Sequence, residues 1–199
     1  MIVKVCGITN AEDAAAANAG GATAIGFNFY PRSPRYIAPE RAAEIETKGA
    51  RRVGVFVNES PARVGEIALI ARLDVAQLHG NETAADFPSG VTVWKAARVG
   101  EGFSFAEYDA IAAEALLLDG PADELYGGAG KTFDWRLAAT TTKRIIIAGG
   151  LDASNVARAI ALAHPWGVDA CSRIESAPGK KDLKKMTEFL RAARAALQP

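Results

Sequence analysis

The sequence predicts an α/β fold in which eight parallel strands close into a single (β/α)8 TIM barrel, with the active site at the C-terminal ends of the strands. Three observations predict it. Short runs rich in Val, Ile and Phe alternate along the chain with Ala/Glu/Arg stretches at helical spacing, the pattern of repeated βα units. Pro/Gly clusters, notably Pro31 to Pro34 and Gly120 to Gly130, follow strands, where such a barrel carries its functional loops. No linker, low-complexity tract or charge block interrupts the 199 residues, so residues 1–199 are expected to form one domain.

Strands are expected near Ile2 to Ile8, Ala24 to Tyr30, Arg52 to Val57, Val75 to His79, Thr92 to Ala97, Ala115 to Asp119, Ile145 to Ala148 and Gly167 to Ser172. Helices are expected after them at Ala11 to Ala19, Pro39 to Lys48, Ala62 to Arg72, Glu82 to Phe87, Phe105 to Ile111, Trp135 to Ala139, Ser154 to His164 and Leu183 to Leu197. Thr9 or Asn10, Ser60 and Ser154 suit N-caps, because their short polar side chains can accept from an unpaired amide of the first turn; Pro39 and Pro61 lie where an early-turn proline is tolerated.

Composition excludes several classes of partner. The 23 basic and 23 acidic residues are well mixed and leave a formal net charge of zero, so neither nucleic acid nor a membrane surface is an expected partner. No run approaches the ~18 apolar residues of a membrane span. Two cysteines, Cys6 and Cys171, are too few for a disulfide framework, and MIVKVCGIT has no signal-peptide pattern, so a cytoplasmic protein with free thiols is expected. A monomer and a homodimer both fit an ordinary barrel surface.

Strand alternation locates the chemistry. Ile2, Lys4 and Cys6 share one face, and the apolar Val3 and Val5 suit packing against helices, so Lys4 and Cys6 are expected inside the barrel. A lysine there needs an anionic partner, and Asp169 on the neighbouring last strand is the expected one. Cys6 ends its strand close to a lysine and to the next helix, which favours a thiolate base; an inert buried thiol is the plainer alternative, and is the reading for Cys171. Asn58, Gln77, His79, Lys95 and Asp119 also mark strand ends, with Gln77 and His79 pointing the same way. His79 reads as a hydrogen-bonded structural residue. Asp119, after three leucines, is either a desolvated proton donor or a loop cap.

Gly149 and Gly150 after strand seven, with Ser172 and Arg173 after strand eight, occupy the loops that commonly bind phosphate in this fold. Gly127 to Lys131 lacks Walker spacing and reads as a loop over the site. Arg35 could grip a substrate carboxylate, whereas Arg32 reads as solvated.

Together VKVCGIT, IGFNFYPRSPRYI, VGVFVN, VAQLHG, LLLDG, GGAGKTFDW, AGGL and VDACSRIESAPGKKD resemble the phosphoribosylanthranilate isomerases, in order over essentially the whole chain. The resemblance implies an Amadori rearrangement of a phosphorylated aminosugar in tryptophan biosynthesis, without metal or organic cofactor. It places the family's general base on Cys6, its general acid on Asp119, its carboxylate-binding arginine on Arg35 and its phosphate site on Gly149, Gly150, Ser172 and position 173. One departure stands out: many members have Ser-Ser-Gly where this chain has Cys171-Ser172-Arg173, leaving the Arg173 side chain to turn toward phosphate or solvent. Another phosphate-sugar barrel, an isomerase that also takes a histidine-pathway aminoaldose, and a silent ligand-binding barrel are the competing readings.

Overall fold

The computed structural model describes residues 1–108, 110–120 and 132–196. Its centre is a closed barrel of parallel strands in chain order: β1 (Ile2–Val5), β2 (Ala24–Asn28), β3 (Arg51–Phe56), β4 (Val75–Leu78), β5 (Thr92–Arg98), β6 (Ala115–Asp119), β7 (Ile145–Ile147) and β8 (Gly167–Ala170). The seam closes by pairing Ile2 with Gly167, Lys4 with Asp169 and Val5 with Ala170. Helices α1 (Ala11–Gly20), α2 (Pro39–Glu44), α3 (Pro61–Ile70), α4 (Val156–Ala163) and α5 (Leu183–Ala195) surround it. Between β8 and α5 the chain adds an antiparallel hairpin, β9 (Glu175–Ala177) and β10 (Lys180–Lys181).

Local sequence explains most boundaries. Asn10 caps α1, its side chain accepting from the Asp13 amide at 2.8 Å, and Ser60 caps α3 with Pro61 in the first turn. Along α5, Met186, Phe189, Leu190 and Ala193 recur at helical spacing and are buried. Several expectations need correction. After β4, β5 and β6 the described residues form only short 3-10 turns, Ala84–Asp86, Phe105–Tyr108 and Trp135–Thr140. Phe105 to Tyr108 contains bulky aromatics and no alanine run, so it turns to pack a ring cluster in which Phe103 stacks on Tyr108 at 5.9 Å. The N-cap of α4 is Asn155 rather than Ser154, whose hydroxyl and amide both go to Asp152. β1 and β8 end at Val5 and Ala170, short of Ile8 and Ser172, and α2 stops at Glu44. Leu197 and the Gly127–Lys131 loop lie outside the described residues.

Strand parity divides the interior into two cores. Val3, Val5, Ile25, Phe27, Leu116 and Leu118 face the helices. Ala24, Val53, Val75, Trp94, Leu117 and Ile146 point inward and fill the barrel, with Ile2 and Trp166 packed beneath. Trp94 is fully buried and meets Trp166 edge-on at 5.8 Å, closing the N-terminal end. Above this layer the inward positions turn polar. Lys4 Nζ donates to Asp169 Oδ2 at 2.9 Å, as the pairing across the seam requires. Gly26 makes room for it: a Cβ there would lie 2.8 Å from Cys6 Sγ and 3.1 Å from Lys4 Cε.

Lys4→Met strands Asp169 as an unpaired buried carboxylate, and breaking a buried pair in this way typically costs ~3–5 kcal/mol. Burial pushes Asp169 up to about 7 even against the pull of Lys4, so without Lys4 the carboxyl moves higher still and is buried protonated, at a cost relative to the ionised unfolded carboxyl that grows with pH. Urea unfolding of Lys4→Met should therefore show a large loss of stability at pH 8 and a smaller one at pH 5; an equal loss at both would contradict the pairing as the cause.

Candidate active site

At the C-terminal ends of the strands the barrel opens into a pocket of about 720 Å³, including the space at its mouth. Cys6, Gln77, His79, Asp119 and Asp169 line it from the inward ends of β1, β4, β6 and β8, and Gly149, Gly150, Ser172 and Arg173 from the loops after β7 and β8, with Arg35 beside Cys171. The inward parity that places Lys4 in the barrel carries Cys6 one step higher, into the pocket, where it is 8 % exposed. Its amide donates to Ala170 O at 2.9 Å, which holds it against the end of β8.

Charge is concentrated around that sulfur. The Cys6 thiol is held well below the ordinary cysteine range, first by the neighbouring Cys171 thiol as hydrogen-bond donor, then by Lys4 and Lys181; burial opposes them. The same coupling drives Cys171 upward, so of the two thiols Cys6 is the one that gives up its proton first. Burial alone would lower the Lys4 ammonium, but Asp169 and Cys6 outweigh it and raise it. Cys171 is accordingly more than packing: its sulfur also lies 3.9 Å from Glu175 Oε1 and 4.0 Å from Lys181 Nζ.

In the same pocket, Asp119 ends β6 after the three leucines and is 8 % exposed. His79 Nε2 approaches Asp119 Oδ2 at 3.3 Å, without the alignment of a full hydrogen bond. On its other side His79 Nδ1 lies 3.0 Å from Gln77 Nε2, so with the amide donating, the ring proton faces Asp119. Gln77 and His79 thus share the inward face, as their spacing predicts, and His79 is a hydrogen-bonded residue that also touches the expected acid. Gln77 Oε1 and Asp169 Oδ1 are buried without a partner among the described residues, leaving acceptors in the pocket floor.

The glycine-lined rim also forms. Gly149 and Gly150 take φ of 78° and 66°, a backbone that leaves no side chain over the pocket. Asn155 braces the turn, donating to Gly150 O at 2.8 Å and accepting from the Asp152 amide at 2.9 Å. Ser172 begins the 3-10 turn Ser172–Ile174. The Arg173 side chain pairs with Asp152 at 3.0 Å and is 47 % exposed, so it ties the β7 loop to the β8 loop at the rim. Lys95 and Asn58 do not reach the pocket: Lys95 pairs with Glu82 at 3.0 Å, and the Asn58 amide donates to the same carboxylate at 2.7 Å. Arg32 is exposed.

Arg35, the expected grip for a substrate carboxylate, is already paired within the protein. Its Nε and Nη2 both donate to Glu175, at 3.0 Å and 2.8 Å to the nearer oxygens, and Lys181 Nζ reaches the same carboxylate at 2.8 Å. Burial opposes the Glu175 charge, yet Arg35 and then Lys181 hold the carboxyl below its usual range, so it stays ionised. Sequence reasoning assigned neither Glu175 nor Lys181 a role. The Pro178-Gly179 pair between them was the available signal, since it marks a tight turn that brings flanking residues together.

Residues 3–192 match the family model described as N-(5'phosphoribosyl)anthranilate (PRA) isomerase. A curated N-(5'-phosphoribosyl)anthranilate isomerase from Solibacter usitatus is 75% identical over 197 residues, covering 99% of both chains. The crystal structure of the phosphoribosyl anthranilate isomerase from Thermus thermophilus superposes with a TM-score of 0.89 at 39% identity, covering 100% of both chains. A phosphoribosyl anthranilate isomerase solved with reduced 1-(o-carboxyphenylamino)-1-deoxyribulose 5-phosphate gives 0.83 at 35% identity, covering 98% of this chain and 100% of that one. With the barrel, the polar pocket and the matched length in agreement, the chain belongs to the N-(5'-phosphoribosyl)anthranilate isomerase family.

Proposed function

We infer that this chain isomerises N-(5'-phosphoribosyl)anthranilate to 1-(2-carboxyphenylamino)-1-deoxyribulose 5-phosphate, a step of tryptophan biosynthesis, with Cys6 as general base and Asp119 as general acid. Family membership carries the reaction. The observation that supports the residue roles is that a lysine-flanked, acidified thiol and a buried carboxyl line one pocket with a bare-backbone rim.

The roles follow from the chemistry. Asp119 gives a proton to the furanose ring oxygen, and the ring opens to an iminium ion. That cation acidifies the adjacent C2 proton, which the Cys6 thiolate removes to leave an enolamine; tautomerisation then yields the ketone. The substrate nitrogen is the electron sink. Lys4 stabilises the thiolate before the transfer, and the Cys171 thiol shares its charge. The phosphate is assigned to Gly149, Gly150, Ser172 and the backbone of Arg173, whose side chain braces the rim. The anthranilate carboxylate is assigned to Arg35.

General acid and base groups each typically contribute ~10² to 10⁴-fold. Cys6→Ala and Asp119→Asn should each reduce kcat by about that range in a fluorescence assay of substrate consumption, with urea midpoints near that of the parent chain. Near-normal turnover in either variant would sink its assigned role. The acidified thiol has a signature of its own. Iodoacetamide attacks thiolate, and a lowered pKa keeps thiolate populated to lower pH, so inactivation should persist below the free-cysteine inflection near ~8.5. Cys6→Ser should lose the rapid labelling; an inflection at or above the free-cysteine value would contradict the charge arrangement at Cys6.

A further inference from the structure

Arg35 is held by an anion that belongs to the protein, although its assigned task is to bind an anion of the substrate. The guanidinium carries five N–H donors in a planar fork. Glu175 takes the side edge, one donor from Nε and one from Nη2. The terminal edge, formed by Nη1 and the second Nη2 hydrogen, has no partner among the described residues, and Arg35 lines the pocket beside Cys6 and Cys171. One arginine can therefore hold two carboxylates in the same plane, one from each edge.

The support behind Glu175 is rigid and buried. Its side chain is 4 % exposed, and that of Lys181, which contacts it at 2.8 Å, is 0 % exposed. The hairpin carrying both is fastened to the mouth of the barrel: Thr9 Oγ1 donates to Gly179 O at 2.6 Å, and the Lys181 amide donates to Asp13 Oδ2 at 2.9 Å. Beneath Arg35 there is no slack. Gly7, at φ 74°, lies so close that a Cβ would meet Arg35 Cδ at 2.8 Å. Two cations, Arg35 and Lys181, share the one carboxylate of Glu175, so Glu175 holds Arg35 without neutralising it alone.

We propose that Glu175 is a positioning residue for the substrate's aromatic carboxylate: it clamps the side edge of Arg35 so that the terminal edge faces the pocket. The proposal rests on the assignment of that carboxylate to Arg35. Without the clamp the guanidinium gains rotational freedom, and the carboxylate must order it on binding, which weakens affinity for a carboxylated substrate specifically, whereas any change at Cys6 through Cys171 or Lys181 acts on both substrates alike.

The test compares the carboxylated substrate with the N-phosphoribosyl derivative of aniline, which lacks the carboxylate. Glu175→Gln should raise KM for the carboxylated substrate about tenfold with kcat within about threefold, the size expected for a weakened hydrogen bond to a charged group. Its KM for the aniline derivative should match that of the parent chain. Arg35→Ala separates the two layers of the argument. If Arg35→Ala leaves discrimination between the two substrates intact, the carboxylate assignment itself fails. If Arg35→Ala abolishes discrimination but Glu175→Gln preserves it, only the clamp is overturned. The double variant should be no worse than Arg35→Ala alone, since both act through one guanidinium; multiplying effects would show that Glu175 acts by another route. Should Glu175→Gln fail to fold because Lys181 loses its buried partner, Glu175→Gln/Lys181→Met removes that unpaired cation; because Lys181 also acts on Cys6, this variant is judged only by the ratio of KM between the carboxylated substrate and the aniline derivative, which a change at Cys6 alone would not move.

Discussion

Much of this structure depends on one seam. Where β1 meets β8, the barrel must pair two strands from opposite ends of the chain, and the pairing sets Lys4 against Asp169 inside the wall. A fully buried ammonium is tolerated only with an anion in contact, so register at the seam is tied to charge as well as to hydrogen bonding. A slip of one residue would turn Lys4 outward among the helices and Val3 or Val5 into the pocket floor. The same register puts Cys6 beside the end of β8 and within reach of the Lys4 charge. Closure of the fold and acidification of the thiol are thus consequences of a single pairing.

Buried lysines recur as a structural device. Lys4 with Asp169, Lys95 with Glu82 and Lys181 with Glu175 are all buried pairs; the first joins the two ends of the chain, the others neighbouring segments. They are used differently. Lys95 also donates to the carbonyls of Leu78 and Gly80, at 3.2 Å and 2.8 Å, and so fastens the loop after β4 away from the pocket. Lys4 and Lys181 instead flank the two cysteines and supply positive potential where negative charge has to persist.

The alternation of apolar runs and helical stretches made the barrel legible, because parity and period are properties of neighbouring residues. Lys4 with Asp169 was legible for the same reason: both lie at inward positions of adjacent strands, and neither could be buried alone. The connections after β4, β5 and β6 were less so, since Ala84–Asp86 and Phe105–Tyr108 are too short for periodicity to distinguish a helix from a turn. The Glu175 clamp was invisible for a different reason. Arg35 and Glu175 lie 140 residues apart, on a loop and a hairpin whose meeting depends on the closed barrel. Cys171 was misjudged for want of the same information, as its character comes first from Cys6, at the other end of the chain, and from Lys181 and Arg35, which the closed barrel brings beside it.

Trp94 and Trp166 pack edge-on inside the barrel at the end opposite the pocket, so among the described residues Cys6 and Asp119 are approached from the C-terminal ends of the strands. An arriving ligand and a departing one then share that face, and the Asp152–Arg173 pair, which joins two loops at the rim, stands beside the route both take.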